Sequence, residues 1–360
     1  MRCMNQNPRV SLRAISEKTG VTRMAVSLAL RGKPGVSAAT RDKVVAAARE
    51  LGYAPDPEVS KLMAHIRSRS AAQPTACLAL LTSGPTETYW LHSATERKYI
   101  EGATARAQEY GFRLEEFWLH KPGMTPARLS SIIWNRGIEG VLVAPLHEKL
   151  ARGGERVLAF DFEPFAAVEI SETIDKPDLD RAAHDQYNAM HRVLDELAAL
   201  NYQRPGLVLE EALDLRVGGK WTAAYLQRSL RNGLKLPPLI MADPNPKEFG
   251  RWRERHEPDV VISVDGCGLK LLQADKSKIP ARIGYCTLDV DGESALHSGV
   301  SGIDQNSLQL GASAVDLLVA AIHRGQRGVP PHPVRTLVEG SWVAGTSTRA
   351  QRSSARPARE

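Results

Sequence analysis

Small and apolar residues recur at helical spacing in three short runs near the start of the chain. Ser11 can cap a helix over Leu12–Thr19, with Leu12, Ile15 and Ser16 facing inward. Gly20 ends it, because glycine takes the left-handed conformation cheaply. Thr22 caps a second helix, in which Ala25, Val26, Ala29 and Leu30 are small or apolar. "RGKPGVS" reads as a loop. Ser37 caps a third helix from Ala38 to Leu51, with Val44, Val45, Ala48 and Leu51 at helical spacing, and Gly52 stops it. Asp56 and Pro57 can open a further short helix, whose Val59, Leu62, Met63 and Ile66 fall at i, i+3, i+4 and i+7.

From residue 75 the pattern changes. Short unbroken apolar blocks alternate with helical stretches. "ACLALLT", "RLEEFWL", "EGVLVAP", "RVLAFDF", "AAVEI", "GLVLE", "DVVISVD", "ARIGY" and "SGID" read as strands. Helices are expected at about 97–110, 126–135, 183–200, 217–231 and 307–323. Alternating β and α units predict parallel sheets covered on both faces. There are too many units for one compact half, so two lobes are expected.

Charge sharpens the division. Residues 1–70 hold thirteen Lys and Arg against five Asp and Glu, whereas the whole 360-residue chain is only +6. A basic module on a slightly acidic body is the footprint of an end that binds a polyanion. Two short helices joined by a tight glycine turn and closed by a third describe a helix-turn-helix, whose second helix enters the major groove. Thr22, Arg23 and Met24 then reach base edges. Arg23 can grip a guanine edge bidentately, while Met24 and Leu28 offer apolar contact. Ser11, Thr22 and Ser27 suit phosphates, which position without specifying. A generic three-helix bundle explains the apolar spacing but not the charge or the short exposed side chains.

The stretch from Val10 to Ala64, "VSLRAISEKTGVTRMAVSLALRGKPGVSAATRDKVVAAARELGYAPDPEVSKLMA", resembles the DNA-binding head of the lactose-repressor (LacI/GalR) family without a gap. The resemblance implies a hinge helix after the head, with Leu62 as a minor-groove wedge and Val59 where the family often has alanine. A plain linker helix with Leu62 buried is the alternative. Leu28 stands where the family usually has arginine, which implies a different operator sequence. The body resembles the family's two-lobed sensor. "LRVGGKW" is similar to its Arg-x-x-Gly, which implies Arg216 as an effector contact, and "VVISVDGCGLKLL" implies Asp265 as an acceptor for ligand hydroxyls. "HDQYNAMHRVLDELAALNYQRPGLVL" places Asp185 at the family's aspartate. Cys286 and Gly345 depart from the family's usual aspartate and arginine, so the pocket is expected to differ from those of the best-known sugar sensors.

The expected fold is an all-α helix-turn-helix head plus an α/β two-lobed, periplasmic-binding-protein-like (type I) effector domain. The expected division is 8–55 for the head, 56–74 for hinge and linker, 75–348 for effector binding and dimerisation, and 349–360 for a disordered basic tail. Ligands of parallel sheets sit beyond the carboxyl ends of strands. That rule selects the loops at 83–90, 145–147 and 210–216, and Asp265. The candidate effector contacts are Trp90, Asp185, Tyr187, Arg216, Trp221 and Asp265. Read alone, Asp265 can equally cap a helix, Arg216 can form a surface ion pair, Trp90 can be a lobe contact and Trp221 can be core.

Other classes fare worse. There is no GxxxxGK[ST], no GxGxxG after the first strand, no HExxH and no GxSxG. His184, Asp185 and His191 do not have a known zinc spacing. Four scattered cysteines without a CxxC pair fit a reduced compartment. The expectation is a cytoplasmic, non-enzymatic regulator without cofactor, metal or membrane partner. Its expected partners are an operator duplex, a small polar effector such as a sugar, and a second copy of the chain. A secreted solute-binding protein would share the body, but the start of the chain lacks a signal-peptide pattern.

Overall fold

The computed structural model describes residues 12–30, 35–53, 76–147, 155–290 and 299–351. Three helices open it: α1 (Leu12–Thr19), α2 (Arg23–Leu30) and α3 (Ala38–Glu50). Ile15, Val26, Ala29, Val44, Ala47 and Ala48 bury one small core between them. The lone cluster is modest, so the caps matter. Ser37 accepts a hydrogen bond from the Thr40 amide, and Thr22 Oγ1 accepts one from Ala25. Gly20 has φ of +71° at the turn between α1 and α2, as the sequence requires.

The body holds two six-stranded sheets. Its first elements are β1 (Ala76–Thr82), α4 (Ala94–Glu109), β2 (Phe112–Trp118), α5 (Pro126–Asn135), β3 (Gly140–Val143), β4 (Ala166–Ile170) and β5 (Asp180–His184). The chain then builds α6 (Gln186–Ala199), β6 (Pro205–Glu210), α7 (Glu211–Arg216), α8 (Lys220–Asn232), β7 (Leu239–Met241) and α9 (Pro246–His256). After these come β8 (Val260–Ser263), α10 (Cys267–Ala274), β9 (Gly284–Thr287), β10 (Ser301–Asp304), α11 (Ser307–Arg324), β11 (Arg335–Val338) and β12 (Ser341–Val343).

The first sheet has the order β11-β5-β4-β3-β1-β2 and is parallel throughout. The second has the order β12-β10-β9-β8-β6-β7, with only β12 antiparallel. Both are covered on two faces. Along β1, Leu78 and Leu80 face one core while Ala79 and Leu81 face the other, and β8 divides Val260 and Ile262 from Val261 in the same way. The chain passes between the sheets at β5–α6, at β10–α11 and at β11–β12.

Several predicted boundaries move. "RVLAFDF" forms no strand; it makes a single bridge between Val157 and Lys176. Its Phe160 and Phe162 pack with tilted rings, centroids 4.8 Å apart, at the edge of the first lobe's core. Apolar spacing alone cannot separate such a segment from a strand. The helix expected from Ala183 begins at Gln186, because Asp180–His184 is a buried strand despite its polar residues. The helix expected from Val217 begins at Lys220, after two glycines with φ of +68° and +70°.

One close approach holds the first lobe together. α4 and α11 cross at Gly102 and Gly311. A Cβ on Gly102 would lie 1.9 Å from the Leu308 carbonyl oxygen, and one on Gly311 would lie 1.9 Å from that of Tyr99. Gly102→Ala is therefore expected to lower stability by about 3 kcal/mol, because rigid backbone must move. Gly250→Ala, in α9 with nothing within 4 Å of the new methyl, should instead gain about 0.5–1 kcal/mol. Urea unfolding of both variants checks the contrast. Equal effects would remove the close approach as the cause.

Candidate DNA-binding head and inter-lobe cleft

In the head, the bond that closes α2's first turn comes from Thr22, which is exposed. Ser16 Oγ donates to the Val21 carbonyl at 2.6 Å, fixing the turn between α1 and α2. Lys18 and Glu50 pair at 2.7 Å and tie α1 to α3. Leu28 is half-buried, and one of its methyls sits 3.5 Å from where a Gly35 Cβ would stand. Arg23, Met24 and Ser27 lie on α2, but their side chains lie outside the described residues, as do Ser11, Val59 and Leu62. The expected hinge helix and the residues of the tail from 352 onward also lie outside them.

The carboxyl ends of the strands of both lobes meet at a polar seam. Ser93 caps α4, accepting from the Glu96 amide at 3.3 Å. The S-x-x-E spacing suits a reciprocal bond in which the Ser93 amide donates to the Glu96 carboxylate. That amide donates instead to the Trp90 carbonyl at 3.1 Å. The Glu96 side chain is 6% exposed; its Oε2 meets His147 Nε2 at 2.8 Å, and its Oε1 lies 3.9 Å from the Arg216 guanidinium of the second lobe. Tyr89 packs edge-on against His147, with ring centroids 4.7 Å apart. Thr95 Oγ1 donates to Asp289 across the lobes at 3.0 Å, and Lys220 pairs with Glu172. The seam thus sets Arg216 and Lys220 of the second lobe against Glu96 and Glu172 of the first, beside an aromatic pair, with Thr95 donating in the opposite direction to Asp289.

The candidate residues divide. Arg216 joins the seam. Trp90 lies on the short turn Tyr89–His92 beside it, but its indole N–H donates to Glu116 at 2.9 Å. Asp265 is exposed with φ of +54° after β8; its charge helps raise the Glu210 carboxyl, with burial the larger cause. The helix after it is capped by Gly266 without a side-chain bond. Asp185 caps α6, accepting from the Asn188 amide at 3.0 Å. Tyr187 is exposed and packs on His191 at 4.7 Å. Trp221 is core, 4% exposed, in the second lobe. Sequence reasoning missed Glu96, Glu172 and Lys220. The loop at 145–147, which carries His147, follows a strand, and that was the one signal available.

Beneath the seam, a buried polar relay runs through the crossings. Trp221 Nε1 donates to Gln186 Oε1 at 2.7 Å, Gln186 Nε2 to Gln305 Oε1 at 3.2 Å, and Gln305 Nε2 to the Leu288 carbonyl at 2.7 Å. His184 ends β5 beside it and meets the Tyr99 hydroxyl at 2.7 Å through Nε2. Its Nδ1 makes no hydrogen bond of normal geometry among the described residues. Burial pushes its pKa down to about 3, a shift the Gln305 backbone only partly offsets. Burial also raises Tyr99. On β4, Glu169 is buried opposite Arg181 and is pushed up to about 7 by desolvation, against the pull of Arg181.

No helix among the described residues is long and apolar enough to cross a membrane. Among them, no three His, Cys, Asp or Glu side chains are arranged to hold a metal ion. A depression of about 380 Å³ lined by Phe160, Asp161, Phe162, Glu163, Pro177, Gly328 and Val329 lies beside the starts of β4 and β5.

His184 generates a pH prediction. A base whose folded-state pKa is depressed contributes stability that is present above its unfolded value, near 6.5, and lost as pH falls toward 3. Between pH 7 and pH 5 this amounts to about 2 kcal/mol. His184→Gln, which keeps a polar partner for Tyr99, should show a smaller drop in melting temperature over that range. Equal drops in variant and parent would assign the acid sensitivity to other groups.

Comparison with known proteins agrees with this architecture. A sequence model of "Bacterial regulatory proteins, lacI family" matches residues 11–56. None of the curated protein sequences compared with the chain matches it. Among solved structures, the chain is similar to a transcriptional regulator CelR–cellobiose complex, at 17% identity and a TM-score of 0.55, covering 94% of this chain and all of that one. It is similar to a lac repressor dimer bound to operator and the anti-inducer ONPF, at 18% identity and 0.54, covering 95% and 100%. It is also similar to the regulator CcpA of Lactococcus lactis, at 11% identity and 0.54, covering 77% and 100%. Residues 11–56 thus match the lacI-family model, and the two sheets linked by three crossings share the fold of these solved structures.

Proposed function

We propose that the protein is a ligand-responsive repressor that binds a near-palindromic operator as a homodimer. The observation that carries this reading is the exposed Thr22 that caps α2, within a basic N-terminal part of the chain whose residues 1–70 hold thirteen Lys and Arg. Thr22, Arg23 and Met24 read base edges, Leu28 and Met24 supply apolar contact, and Ser11 and Ser27 hold phosphates. The head spans 8–55 and the hinge 56–74; there Leu62 wedges the minor groove and Val59 tunes the fit. Protein two-fold symmetry is mirrored in the half-sites.

The body, 75–348, senses a small polar effector at the seam. Arg216, Asp265 and Trp90 contact it, with Asp185, Tyr187 and Trp221 placed at its border or beneath it. The cellobiose in the CelR complex supports a sugar-like class. Effector shifts the balance between lobe arrangements only by its difference in affinity for them, and that difference changes DNA affinity.

Arg23→Ala is expected to cost about 1–3 kcal/mol of operator affinity while leaving binding to unrelated duplex nearly unchanged. Equal losses on both duplexes, in a fluorescence-anisotropy titration at fixed salt, would reassign Arg23 to phosphate. A thermal-shift panel of sugars, sugar acids and nucleobases, starting with cellobiose, tests the body. A ligand at a hundred times its Kd stabilises by about 2.7 kcal/mol, and Arg216→Ala should abolish the shift. A shift that survives in Arg216→Ala would move the effector elsewhere.

A further inference from the structure

The turn between α7 and α8, Arg216-Val217-Gly218-Gly219-Lys220, belongs to the second lobe but is gripped from the first. Arg156 is the main grip. Its guanidinium forks onto the Asp175 carboxylate, with Nε 3.1 Å from Oδ2 and Nη2 2.8 Å from Oδ1. Its remaining nitrogen, Nη1, crosses the seam and donates to the Arg216 carbonyl at 3.0 Å. That carbonyl is at the last residue of α7, where helix carbonyls lack intrahelical partners and attract cations. The Arg156 side chain is only 12% exposed and its bond to the Arg216 carbonyl is partly buried, while its Asp175 partner is 38% exposed. At the other end of the turn, Lys220 pairs with Glu172, which also lies 3.8 Å from Arg335.

Both carboxylates of this grip sit on one loop, between β4 and β5, and that loop is itself stapled. Glu169 Oε1 accepts from the Thr173 and Ile174 amides and from the Thr173 hydroxyl. Arg181, its register partner on β5, donates to the Ile174 and Leu179 carbonyls, each at 3.3 Å. The loop is therefore a rigid jaw rather than a loose strap. The gripped turn is the softer side, since it contains two consecutive left-handed glycines. Those glycines leave its path to be set by whatever holds its two ends.

We infer that Arg156, oriented by Asp175, is a positioning residue: it fixes the backbone at Arg216 to the first lobe, so that the lobes move as one when this turn is engaged. The inference deepens the effector reading, because it assigns the coupling of Arg216 to lobe position. An arginine is needed there. Its planar fork satisfies the carboxylate bidentately and leaves a third nitrogen for the carbonyl, which a lysine ammonium cannot do in the same geometry.

The test is hydrogen–deuterium exchange on the full-length, ligand-free protein, with peptides covering 155–178 and 214–223. In the parent, the Gly218 and Gly219 amides bond the Leu215 and Asp214 carbonyls and should exchange slowly. Arg156→Ala should speed exchange across 214–223 about tenfold, the loss of one charge-assisted bond. Arg156→Lys should restore part of the protection, and Glu172→Gln, which weakens only the Lys220 end, should speed the same peptide less. A core peptide such as 258–264 reports whether a variant has simply loosened throughout. Acceleration confined to 155–178 in Arg156→Ala, with 214–223 unchanged, overturns the inference, since Arg156 then braces only its own lobe. Should Arg156→Ala fail to fold, Glu172→Gln and Asp175→Asn decide it on the same peptides: unchanged 214–223 in both overturns it. No effector is added, so these outcomes are independent of whether Arg216→Ala loses its thermal shift.

Discussion

Everything in the body depends on carrying three chain crossings through a buried region without leaving polar groups unpaired. A buried amide or carbonyl without a partner costs about 1–3 kcal/mol, more than a typical hydrogen bond contributes. The crossings solve this for one another. The Asp185 amide donates to the Val338 carbonyl and the buried Gln186 and Gln305 join side chain to side chain, while at the exposed edge Asn306 Nδ2 donates to the Glu339 carbonyl. Trp221 extends the chain of bonds into α8. Because the amides satisfy each other, the lobes share one polar spine, and a displacement of α8 is felt at two crossings at once.

Above that spine the lobes meet through charge rather than apolar surface. Glu96 faces Arg216 at 3.9 Å, Lys220 pairs with Glu172, and Thr95 bonds Asp289. Partly exposed ion pairs contribute little net stability, because solvation of the separated charges nearly matches their attraction. An interface of this kind can open and close at small cost, whereas an apolar one of equal area would resist. The Gly102–Gly311 crossing does the opposite for the first lobe, locking α4 to α11 with backbone against backbone. Glu96 stands on the first turn of α4, so the seam is built on a stiff element on one side and on a glycine-rich turn on the other.

The head was the most legible part. Its caps, glycine turn and apolar spacing are all local, and Ile15, Val26, Val44 and Ala48 are buried where the spacing placed them. The buried strands of the body were legible for the same reason. "DRAAH" was not, because a strand carrying Asp180, Arg181 and His184 has no apolar signature. Those groups are buried only because Val334, Glu169 and Tyr99, each distant in sequence, supply their partners. "RVLAFDF" failed in the opposite sense: its apolar alternation is spent on packing, not on pairing.

The seam shows the same boundary. Sequence alone determined that Arg216 would follow the sixth strand and lie near the carboxyl edge of its sheet, since strand order and parallel connection dictate that. It determined the two-lobed division and the basic head by periodicity and charge. Only the tertiary structure decided that Glu96 would abandon its own helix cap for His147, that Trp221 would serve the core, and that Arg156 would reach a carbonyl sixty residues away in sequence. The reason is physical. Periodicity and capping are energies of neighbours along the chain, whereas a buried charge finds its partner wherever folding brings one, and no local pattern encodes that choice.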